Sequence, residues 1–110
     1  MSTQELEQKV RELRQMQAIV EEAQAEVEAL KDAIKAAMGQ REELRTRRKI
    51  IAAEVQSHRD SLLSALSIIH PIDELEGEYI AALGIKLNER LMELKGVDKR
   101  IGILSRELGD

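Results

Sequence analysis

Five cations fall within nine consecutive positions, Arg41, Arg45, Arg47, Arg48 and Lys49, and they are the side chains of this sequence best suited to chemistry. Arg41, Arg45 and Lys49 recur every four residues, so on a helix they share one face. Such a row can follow a phosphate backbone or an acidic partner. The same spacing also suits an ordinary solvated helix face, with Arg48 laying its aliphatic stem along apolar neighbours. Stacking on bases requires aromatic rings, and the chain has one tyrosine and neither Phe nor Trp, which argues against single-strand recognition. A nucleic-acid accessory role would therefore rest on phosphate contacts and weaken steeply with salt.

The other reactive side chains do not assemble into a site. His58 and His70 lie twelve residues apart, without zinc-motif spacing or a further ligand, and cysteine is absent, so neither a metal site nor a disulfide is expected. His58 reads instead as a polar seam residue that helps fix register. The run Asp73-Glu74-Leu75-Glu76-Gly77-Glu78 has the acidity of a calcium loop but lacks its alternating oxygen ligands and distant bidentate glutamate. Negative charge at the start of a helix explains it more economically. Ser57, Ser61, Ser64 and Ser67 offer hydroxyls, but no nucleophile elbow, phosphate-cradling glycine loop or paired carboxylates accompany them. The expectation is a protein that is not an enzyme and holds no cofactor.

The elements that carry these residues follow from the aliphatic pattern. Hydrophobic content of 43% comes almost wholly from Leu, Ile, Val and Ala beside 35% charged residues, a profile of coiled coils and long helices rather than of an aromatic-lined pocket. Ser2 and Glu5 have the spacing of a capping box. Alternating steps of three and four then mark a seam through Leu6, Leu13, Met16, Val20, Ala23, Val27, Leu30, Ile34 and Ala37, interrupted at Lys9. The seam continues in register beyond Gly39 through Arg41, Leu44, Arg48, Ile51, Val55 and His58 to Ile69. His70-Pro71 is a boundary. A last seam runs from Ile80 and Leu83 through Arg90 and Val97 to Leu108, weakened by Gly77, Gly84, Gly96 and Gly102. Gly77 and Gly84, one heptad apart, also suit close approach by a neighbouring backbone.

Two architectures fit this all-α pattern. If Gly39 is a turn, residues 1–110 form a single domain, an antiparallel coiled-coil three-helix bundle, with helices over about 3–38, 41–69 and 72–108. The polar seam residues Arg41 and Arg48 would then mark a wet bundle end. If Gly39 lies inside a helix, a long helical hairpin with a projecting N-terminal arm results. Residues 3–69 would then span about 100 Å, and the last helix would cover only about half of that, leaving Leu13 to Ile34 bare unless a second chain pairs there.

The segments Val10-Arg11-Glu12-Leu13-Arg14, Glu28 through Gly39 and Glu42-Glu43-Leu44-Arg45 resemble small phage and prophage proteins of Gram-positive bacteria. In those proteins a similar helix precedes a short strand-like segment, and they accompany phage recombination functions. The resemblance covers about a third of the chain, residues 10–45. After Arg45 this sequence departs from it, with Arg47-Arg48-Lys49-Ile50-Ile51 and further helical pattern in place of a strand. It implies a phage origin and carries over no functional residue.

A net charge of −4, without a block of like charges, sets aside bulk nucleic-acid binding. No membrane span or secretory signal is legible, so a cytoplasmic protein is expected. The leading expectation is a non-enzymatic protein–protein interaction module, phage-derived and capable of forming a homodimer, whose helix–helix interface is Leu13, Met16, Val20, Val27, Leu30 and Ile34. One alternative is a nucleic-acid accessory protein using Arg41 to Lys49. Another is a small acidic inhibitor whose Glu-rich helices occupy the basic groove of a host protein.

Overall fold

The computed structural model describes residues 2–109, and among them every regular element is helical. The Ser2 hydroxyl opens the first helix by accepting the Glu5 backbone N–H at 3.2 Å, which is the serine half of the expected capping box. Helix α1 runs Thr3–Ala65, a 3-10 turn covers Ile72–Glu74, and α2 runs Gly77–Glu107.

The three-helix bundle is not what forms. Gly39 sits inside α1, and the only glycine with positive φ among the described residues is Gly109. The physical reason lies in the neighbours. Ala36, Ala37, Met38, Gln40, Arg41 and Glu42 are strong helix formers, and together they outweigh the roughly 1 kcal/mol that one interior glycine costs.

Two compact units divide the chain, residues 1–37 and 38–110. The second is an antiparallel helical hairpin. Its seam is the expected one. Ile51, Leu83, Val97 and Leu104 are buried, Ile51 and Leu104 to 2% exposure, and Leu44, Val55, His58, Leu62, Ile80, Leu87, Leu94 and Ile101 are half-buried. Glu54 with Arg90, Arg48 with Asp98 and Arg41 with Ser105 link the two strands of the hairpin. Their members are nearly equidistant from the turn, which sets the register. A Cβ on Gly77 or Gly84 would meet nothing within 4 Å, so these glycines do not serve a close backbone approach.

Both ends of the turn differ from the sequence expectation. Helix α1 stops at Ala65, four residues before Ile69. The Ser67 N–H bonds to the Ser64 carbonyl at 3.2 Å, tightening the last turn, and the Ser67 hydroxyl accepts the Ile69 N–H at 3.4 Å. Pro71 disfavours helical backbone at His70. Ile69 therefore leaves the seam and is 84% exposed. Pro71 begins the 3-10 turn rather than α2, because Leu75 and Glu76 turn extended (ψ 127° and 92°) before Gly77 restarts the helix. Glu78 places negative charge in the first turn of α2, Arg106 places positive charge in its last, and Gly109, at φ 80°, adopts the left-handed conformation that ends it.

Candidate functional site

The unit of residues 1–37 has the opposite burial pattern from the hairpin: each described residue from Ser2 to Ala36 is exposed. This includes all six side chains expected to form a helix–helix interface. Leu13, Met16, Val20, Val27, Leu30 and Ile34 keep between 48% and 63% of their surface in contact with water. Covering a side chain of this kind is worth on the order of 1–2 kcal/mol. Two shallow depressions lie along the helix, one lined by Leu6 and Val10 with Glu7, Arg11 and Arg14, the other by Leu13, Met16 and Val20 with Gln17 and Glu21. Val10 and Ile19, outside the alternating three-four seam, are also exposed and widen the apolar face. The seam pattern passes over both; their signal is an aliphatic residue beside a seam position where a charge is usual.

The five cations do not form one row of free charges. Arg41 is buried to 8% exposure, and its Nη1 donates to the Ser105 hydroxyl at 3.5 Å. Arg45 turns along its own helix to Glu42, Nη1 to Oε1 at 2.7 Å. Arg47 pairs with Glu93 on α2, and Glu93 also accepts from Arg90, which reaches Glu54 at 3.2 Å. Arg48 grips Asp98 with two nitrogens, Nε to Oδ1 at 2.5 Å and Nη2 to Oδ2 at 3.4 Å. That hydrogen bond and the attraction of the carboxylate hold the Arg48 guanidinium above its usual proton affinity. Lys49 makes no ion pair among the described residues. Arg41, Arg47 and Arg48 thus act as cross-links of the hairpin rather than as a wet bundle end. Their partners escaped the sequence analysis because naming Glu93 and Asp98 requires the position of the turn.

The hairpin tip carries the remaining polar candidates. His70 lines a shallow cleft of about 170 Å³ with Ala65, Glu74, Glu76, Tyr79 and Ile80, while His58 is half-buried in the seam. Among the described residues no three His, Asp or Glu side chains gather as a metal-binding group. Ile68 is fully exposed, and Ile69 beside it and Ile72 after the proline are 84% and 88% exposed, an apolar tip. No described helix is long and apolar enough to cross a membrane. No family model, curated protein or solved structure matches the chain.

Proposed function

We propose that this chain is a non-enzymatic protein–protein interaction module whose working surface is the aliphatic face from Leu6 to Ile34. The observation that carries this reading is the exposure of six seam side chains in one helical unit. Apolar area arranged at helical spacing gains most by meeting another apolar helix. The pattern is the one that α2 meets in the hairpin, where the same three-four spacing is covered. The nucleic-acid reading has less to draw on, since Arg41, Arg47 and Arg48 are engaged by α2 and Arg45 by Glu42. An association with phage functions rests on the sequence resemblance alone.

The test is capture by a tagged chain from a bacterial lysate, compared with a variant carrying Leu13→Gln, Val20→Gln, Val27→Gln and Leu30→Gln. The reading expects proteins recovered by the unmodified chain and lost with the variant, while Arg45→Glu and Lys49→Glu leave the recovery unchanged. Equal recovery by both baits, with the unmodified chain also remaining a monomer in sedimentation, would refute it.

A further inference from the structure

The side chains flanking the aliphatic face select its partner, on the reading that this face is an interaction surface. We propose that it is covered by the same face of a second copy of this chain, in a parallel, in-register, two-stranded coiled coil.

The first argument is the seam itself. Written as a heptad, Val20, Val27 and Ile34 are successive a positions and Leu30 is the d position between the last two. β-Branched residues at a with Leu at d favour two parallel strands, a rule that Val27, Leu30 and Ile34 follow, while Leu6 and Leu13 at a and Met16 and Ala23 at d are neutral to it. Lys9, at a d position near the amino end, is the one polar layer of the stripe, with Glu5 and Glu12 on its own helix at the spacing that offsets its charge.

The second argument is charge, calibrated on the hairpin. In a parallel pair the residue before each a position meets the partner's residue five further on. Glu26 then meets Lys31 of the second copy, twice by symmetry, and Glu12 meets Gln17; Lys31 lies 3.6 Å from Glu28 on its own helix, an exposed and longer pair that it can share. Every such pair from Glu5 to Lys31 is free of like charges. Antiparallel pairing behaves differently. In the hairpin the residues before a positions on the two strands face each other, as the Arg47 pair with Glu93 shows. The same geometry applied to two antiparallel copies, in the register covering the most seam positions, sets Glu12 against Glu26 of the second copy, twice. Sliding by one heptad toward the amino ends sets Glu5 against Glu26 instead; sliding the other way removes the clash, with Glu12 facing Ala33 and Glu26 facing Ile19, but leaves Leu6 and Lys9 outside the pair and gains no opposite-charge contact between these positions. Opposite charges hold the antiparallel hairpin, and like charges oppose the antiparallel dimer that would cover the whole of this face.

The absence of cysteine makes the test direct. Full-length Val27→Cys and Met16→Cys chains are oxidised separately and as a mixture with oxidised glutathione, and sedimentation follows the unmodified chain over a concentration series. The expected result is a dimer, with each variant cross-linking to itself and no mixed disulfide between positions 16 and 27. Lys31→Glu weakens the dimer on the order of tenfold, and adding Glu26→Lys restores it. A mixed disulfide in place of the self-links, a dimer that forms no disulfide at either position, or a trimer overturns the proposal but leaves the face an interaction surface. A strictly monomeric chain that still captures another protein through Leu13 and Val27 does the same. A monomer that captures nothing through this face defeats both the proposal and the reading beneath it.

Discussion

Leu104 and Val27 belong to the same kind of seam and should respond very unequally to truncation. Leu104 and Ile51 are each 2% exposed, so Leu104→Ala and Ile51→Ala are each expected to cost about 2–5 kcal/mol in urea unfolding, lost transfer energy plus the cavity left behind. Val27 is 48% exposed, and Val27→Ala should change stability by no more than about 0.5 kcal/mol in dilute solution, where the chain is unpaired. The Arg48 and Asp98 link makes a second prediction. Arg48→Asp and Asp98→Arg should each lower the urea midpoint, and the double exchange should recover most of the loss; no recovery would mean that this contact does not hold the register. Folding raises the proton affinity of Arg48. Its contribution is therefore complete below the unfolded arginine range and fades only as pH climbs through the still higher folded value. Midpoints measured from neutral to mildly alkaline pH should show no loss from the arginine side, whereas added salt should lower them.

At the scale of the element, Gly39 gives the sharpest prediction. It lies within α1, has no left-handed φ, and a Cβ there meets nothing within 4 Å, so Gly39→Ala should raise stability by about 0.5–1 kcal/mol in thermal unfolding followed by circular dichroism. A loss instead would indicate a turn. Gly109, at φ 80°, should behave in the opposite sense, with Gly109→Ala costing up to about 1 kcal/mol. These two residues also show what was legible in the sequence. The seam of α2 from Ile80 to Leu108 could be read residue by residue, because period is a local property and every one of its positions is buried or half-buried. The role of Gly39 could not, since propensity gives the cost of a glycine but not what its neighbours contribute. The end of α1 was misplaced because Ile69 keeps the seam period, while Ser64, Ser67 and Pro71 act on the backbone and stop the helix earlier. At the candidate site the spacing of the six aliphatic positions could be read and their exposure could not, because that depends on which residues α2 reaches; the engagement of Arg47 and Arg48 was hidden for the same reason, since it depends on which residues the turn brings opposite.

At the scale of the whole molecule, the two units should exchange backbone hydrogens as separate populations. Amides of 44–62 and 80–104 lie in the packed hairpin and should exchange slowly, while those of 6–34 should exchange quickly in dilute solution. Raising the chain concentration should slow exchange in 6–34 and leave the hairpin amides as they were; uniform slowing across the chain would contradict this. Tyr79, half exposed beside His70 at the hairpin tip, is the chain's one aromatic residue. Its emission therefore speaks for residues 38–110 alone, whereas ellipticity at the amide band sums every helical turn. A melt recorded by both should give two curves that do not superimpose: in optical terms the hairpin carries its own lamp, and the first thirty-seven residues are dark.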